Sequence, residues 1–166
     1  MKIILGLTIL SSLLEASLAY FWTSGNKLMD SKGNQFIPRG INTANGDWDK
    51  SNPPTGVMAA VRSTGANCVR IQWLNNEDIA KKGLGDNDLK NAIQKAIDNK
   101  LIPIVELWSN TGSNDYDALK KAGDWWVSKM YMLKAFEDKL LINIQNEWVR
   151  VAQKFARLIL RLFFIF

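Results

Sequence analysis

The sequence predicts an α/β fold built on a parallel sheet, and three observations carry that reading. Short, nearly unbroken apolar runs alternate with stretches of helical spacing, which is the rhythm of strand, crossover helix and strand. The runs are apolar at almost every position rather than at every second one, as in strands covered on both faces. Consecutive units of this pitch pair in parallel through right-handed crossovers.

The elements follow in order. Lys2, the apolar run "IILGLTILSSLL" and the small residues Ser17 to Ala19 read as an export signal, so residues 1–19 are expected to be removed and the protein to be secreted. That run is too short and too early to span a bilayer, and no stable membrane insertion is expected. "KLMDSKGNQFIP" holds a turn, Asp30 to Asn34, between two short apolar pieces, and predicts a small hairpin that could plug the base of a larger fold. "RGIN", Arg39 to Asn42, is the first strand of the repeat. A helix is expected from Pro53, at a favoured helix start, to about Thr64, with Gly65 closing it. "NCVRIQW", Asn67 to Trp73, is rich in β-formers. Leu89, Ile93, Ala96 and Ile97 form one stripe of a helix over 86–99. "LIPIVELW", Leu101 to Trp108, is the third strand. A helix starting near Ser113 or Asp115 follows it, and "LLINIQ", Leu140 to Gln145, is the fourth strand.

Two parallel architectures fit this order. An open nucleotide-binding sheet wants a glycine-rich turn after its first strand. The turn here is "NTANGDW", and "KGLGDND" lacks the third glycine and follows no strand. The (β/α)8 barrel, the TIM fold, is therefore favoured. A complete barrel takes about 250 residues, and at least roughly 200. Residues 20–148 supply only about four β/α units and the hairpin, so the barrel is expected to be incomplete, with its first and fourth strands as open edges inviting self-association.

Composition removes much of enzymology. The chain has no histidine and one cysteine, Cys68, which excludes Ser-His and Cys-His couples, common zinc sites and an internal disulfide. Cys68 reads as a small buried hydrophobe. No metal or organic cofactor is expected. The net charge is +5, but Arg150, Lys154, Arg157 and Arg161 of the 149–166 tail carry four of those charges. The body therefore has no basic surface for nucleic acid.

In either architecture the functional face lies at the carboxyl ends of the strands. Trp48, Trp73, Trp108 and Trp148 all fall at or after strand ends, and an indole is a flat platform suited to the C–H face of a sugar ring. The alternative is that they cap the core. Asn42, Asn75, Asn76, Glu77, Asn110, Asn146 and Glu147 accompany them, a rim suited to a neutral polyhydroxylated ligand. Arg70 lies inside the second strand, where a charge is costly unless paired. Its partner is either a structural Glu106 or a catalytic carboxylate that it keeps ionised. Glycoside cleavage needs two carboxyl groups. Glu147 at the end of the fourth strand is placed to be the acid, and Glu106, two residues short of its strand end, is a poor mate.

The pieces "KLMDSKGNQFIPRGIN", "STGANCVRIQW", "IPIVELWSNTGSNDYDAL" and "LINIQNEW", in that order over Phe21 to Trp148, resemble glycoside hydrolase family five, the cellulase and β-mannanase group. The resemblance implies a retaining hydrolase of β-1,4-linked mannan or cellulose. It makes Glu147 the general acid/base, Asn146 a contact of the sugar 2-hydroxyl and Arg70 a support of the nucleophile. That nucleophile is a glutamate ending the seventh strand, which has no counterpart here, so the chain is expected to be inactive by itself. Trp108 and Ser109 stand where close relatives have His-Asp, and Thr43 to Asn45 where histidine is common. Lacking these, the chain also reads as a non-catalytic carbohydrate-binding fragment using the tryptophan rim. The tail "VRVAQKFARLILRLFFIF" matches nothing expected after Asn-Glu-Trp. It reads as a fourth barrel helix, as an amphipathic surface segment, or as a departure from the ancestral reading frame, the last being favoured.

Overall fold

The computed structural model describes residues 21–43 and 56–148. The signal segment, Trp48, the expected start of the first helix at Pro53 and the 149–166 tail all lie outside these residues. The chain divides into two compact units, one ending at Phe36 and one beginning at Ile37.

In the first unit β1, Phe21–Ser24, pairs antiparallel with β2, Lys27–Asp30. The expected turn at Asp30 to Asn34 is present: the Asp30 carboxylate accepts from the backbone N–H groups of Lys32 and Asn34, each at 2.9 Å. Its return leg makes only a single bridge, Met29 to Gln35. The regular hairpin lies upstream, across Gly25 and Asn26, and pairs the first leg of the expected hairpin with β1, to which the sequence reading assigned no strand. Pro38 closely follows Gln35 and offers no N–H for a longer ladder. Phe21 and Phe36 pack edge to face, with centroids 5.0 Å apart.

The second unit is an α/β layer. Four parallel strands lie in the order β3, Gly40–Thr43; β4, Cys68–Trp73; β5, Ile102–Leu107; and β6, Leu141–Asn143. The sheet order is the chain order, as the β-α rhythm requires. Between the strands run α1, Met58–Ser63; α2, Asn76–Lys81; α3, Asp86–Asp98; and α4, Tyr116–Leu133, extended by a 3-10 turn at Lys134–Phe136. Local chemistry fixes the starts. The Asn75 side chain accepts from Asp78 N–H at 3.0 Å and caps α2, where the sequence reading assigned no element. Asp88 reaches back to Gly85 N–H at 2.8 Å to open α3, and Asp115 accepts from Asp117 N–H at 3.1 Å to open α4.

Register separates the two faces of the sheet. Asn42 lies beside Arg70, and Gln72 beside Glu106 and then Asn143. Side chains alternate along a strand, so Arg70, Gln72, Glu106 and Asn143 share one face. Val69, Ile71 and Trp73 share the other with Val105 and Leu107. That second face forms the core with Leu89, Ile93 and Ala96 of α3 and Ala122, Trp125, Trp126 and Leu133 of α4. Three of the four residues of the expected α3 stripe are fully buried, and Ile97 packs at its margin. Burial on both faces holds for β4 and β5, the middle strands. Apart from the buried Thr43, the edge strands β3 and β6 are exposed or half-buried, because each has a neighbouring strand on one side only among the described residues. No helix among the described residues is long and apolar enough to cross a membrane.

Candidate functional site

Parallel pairing brings the carboxyl ends of β3 to β6 to one edge, and short polar bridges join the segments that leave it. Trp108 N–H donates to Trp73 O at 2.7 Å, and Asn146 N–H to Leu107 O at 3.0 Å. Asn75 N–H donates to the Ser109 hydroxyl at 2.8 Å, and Gln145 Nε2 donates to Ser109 O. Gly112 N–H donates to Glu147 O at 3.1 Å. The loop after β5 is thus tied both to the β4 exit and to the Asn-Glu pair after β6.

Arg70 is the hub of the polar face. Its Nη2 forms an ion pair with Glu106 Oε1, the structural pairing read from the sequence. The same nitrogen donates to Asn146 Oδ1 at 2.9 Å. Asn146 Nδ2 donates to Thr111 Oγ1 at 3.0 Å, and Thr111 in turn donates to Trp108 O at 3.0 Å. Asn143 Nδ2 completes the cluster by donating to Glu106 Oε1 at 3.1 Å. Burial pulls the Arg70 pKa below its ordinary value, and the negative field of Glu147 opposes that shift. The guanidinium stays charged, because its intrinsic pKa lies far above neutrality.

Glu147 is exposed, while Asn146 beside it is buried. Its backbone is left-handed, φ 43°, a conformation that costs a non-glycine residue about 1 to 3 kcal/mol and persists only where neighbours impose it. Here the neighbours are Gly112 N–H on its carbonyl and the two bonds on the Asn146 amide. Glu106 is 0% exposed and already paired with Arg70, so it cannot meet a sugar, and its weak standing as a mate for Glu147 becomes an exclusion.

The tryptophan rim separates into two kinds. Trp108 and Trp148 are half-buried at the carboxyl edge. Trp73 is a correction: it is 1% exposed and belongs to the core, because it shares the helix-facing side of β4 with Val69 and Ile71. Trp48 is outside the described residues. Asn42 is exposed and occupies the register position beside Arg70. Several polar rim residues have local duties: Asn75 caps α2, Asn76 accepts from Trp125 Nε1 at 3.0 Å, and Glu77 pairs with Lys81 at 3.1 Å. The sequence reading missed Asn143 and Thr111. Asn143 carried a signal, an amide inside an apolar run, whereas nothing local marks Thr111. No group of three metal-ligating side chains occurs among the described residues.

No family model matches the chain. It is 33% identical over 130 residues to a mannan endo-1,4-beta-mannosidase of Salipaludibacillus agaradhaerens, covering 78% of this chain and 41% of that protein. Its fold superposes on a beta-mannanase from Streptomyces thermolilacinus, solved with mannohexaose, with TM-score 0.63 and 29% identity over 78% of this chain and 42% of that one. The catalytic domain of a Thermobifida fusca endoglucanase shares the fold at TM-score 0.68 and 21% identity, over 86% of this chain and 49% of that one. The chain thus spans less than half the length of each. Sequence and fold together make it a homologue, over less than half of their length, of β-mannanases of the glycoside hydrolase family five type, while the endoglucanase shares its fold.

Proposed function

We propose that the chain carries part of the catalytic domain of a secreted endo-β-mannanase that cleaves β-1,4-linked mannan with retention, and that Glu147 is its general acid/base. The observation that supports this best is the exposed carboxylate of Glu147, just past the end of β6 and next to the buried Asn146 amide that links Arg70 to Thr111. A general acid/base must reach the glycosidic oxygen from a rigid support, and a retaining enzyme sets a second carboxylate about 5 Å from it. Glu106 does not serve as that second group, so the nucleophile comes from outside the described residues, as the family resemblance implies. On this reading Glu147 works only together with that second carboxylate, which the matching remainder of a β-mannanase supplies. The test is reducing-sugar release from mannan by that complemented chain and by its E147Q form. General acid/base removal lowers the rate by about 10²- to 10⁴-fold. Undiminished release by E147Q refutes the assignment.

A binding role without catalysis is favoured by a different observation, the half-buried Trp108 and Trp148 on one edge. Affinity electrophoresis in mannan and cellulose gels tests it: retardation that weakens in W108A or W148A supports it, and no retardation removes it.

A further inference from the structure

Glu106 is the most deeply buried charged side chain in the described residues, and neither reading above uses it. Its Oε1 receives both Arg70 Nη2 and Asn143 Nδ2, while Oε2 is buried with no hydrogen-bond partner in the structure. As a stabilising device this is poor. A fully buried carboxylate loses its hydration, and replacing a buried pair by apolar side chains is often neutral or better for stability. The same face of β5 accepts an apolar residue two positions earlier, at Ile104. What the carboxylate does provide is direction. Arg70 has a long, flexible side chain, 26% exposed, and without an anchor its head would turn toward water. Anchored on Glu106, the same Nη2 lies 2.9 Å from Asn146 Oδ1. That contact orients the Asn146 amide, because Arg70 only donates and must meet the amide oxygen, which turns Nδ2 toward Thr111.

We propose that Glu106 is a positioning residue: through Arg70 it sets the orientation of the Asn146 amide, and with it the backbone that presents Glu147. The role in hydrolysis rests on the function proposed above, whereas the orientation itself can be read without substrate. The experiment is a nitrogen-15 correlation spectrum of the 166-residue chain, with the Asn146 side-chain NH2 pair assigned by its loss in N146D. Glu106→Leu keeps the shape and removes the anchor, Glu106→Asp keeps the charge and withdraws it by one methylene, and Glu106→Gln keeps an acceptor at the same reach. The Asn146 pair is expected to move toward the random-coil amide position in E106L and E106D, with the backbone amides of β4 and α3 in place, and to stay near its wild-type position in E106Q. An unmoved Asn146 pair in a folded E106L or E106D overturns the proposal. So does an E106Q spectrum displaced as far as that of E106L. If E106L does not fold, E106D and E106Q decide. Titrating mannohexaose into the same samples reports on the carbohydrate reading separately, so its failure leaves the positioning result intact.

Discussion

Replacing Trp73 by alanine separates a core residue from a sugar platform. Trp73 is 1% exposed and packs on the helix-facing side of β4 with Val69 and Ile71. A buried tryptophan removes roughly 200 Å² from water, worth about 5 kcal/mol at 25 cal/mol per Å². Unfolded chains already bury part of that surface, which lowers the expected cost to about 3 to 4.5 kcal/mol. Measured losses for Trp→Ala in cores are of the same size, about 3 to 5 kcal/mol. The assay is urea unfolding followed by circular dichroism. With a slope of about 2 kcal/mol per molar urea, the midpoint should fall by about 1.5 to 2.3 M. W73F, which gives up roughly 50 Å², should cost about 1.3 kcal/mol and keeps the series measurable if W73A is too unstable. A loss below about 1 kcal/mol in W73A, a value typical of surface changes, together with weakened mannan retardation would refute the core assignment.

Three further outcomes follow from the same structure. R70M leaves the Glu106 carboxylate buried without its counter-charge and should cost about 3 to 5 kcal/mol, while R70M combined with E106L should recover most of that, both read from urea midpoints. Lys129, 4% exposed, pairs with Asp86 at 2.5 Å, and Tyr131 donates to the same carboxylate at 2.7 Å, joining α4 to α3; D86N should cost about 2 to 3 kcal/mol, and K129M much less. Burial alone would raise the Asp86 pKa, but the bonds from Lys129 and Tyr131 outweigh it and hold the value below normal. Its stabilising contribution is therefore complete above the unfolded pKa of about 3.9 and is lost as pH falls through the lower folded value. Midpoints measured from pH 6 down to pH 2 should show a smaller acid loss in D86N than in wild type. At Gly40 an added Cβ would meet Cys68 O and Sγ, each at 2.6 Å, so G40A should destabilise the β3–β4 pairing by about 1 to 3 kcal/mol, and C68A should not rescue it because the carbonyl remains.

How much of this was legible differs between element and site. The strand order, the α3 stripe and the Asp115 start of α4 were readable because each rests on local signals, apolar runs and capping side chains acting within a few residues. The α2 helix escaped because it spans only six residues, too few for a periodic stripe, although Asn75 followed by Asp78 was a capping signal. The Arg70–Glu106 pair was foreseen for a physical reason: two opposite charges inside adjacent apolar runs have few other ways to be tolerated.

What the sequence determined by itself is the α/β rhythm, the lack of histidine chemistry and the acid at the end of a strand, since all three reside in residue type and spacing. Which side of the sheet each side chain takes was decided only by tertiary structure. A one-residue difference in phase sends Trp73 into the helix-packed core and Gln72, its neighbour, to the polar face. The contact of Thr111 with Asn146 and the left-handed backbone of Glu147 likewise depend on loops 35 residues apart being brought together. No local pattern encodes that meeting, because it is set by the parallel register of β5 and β6.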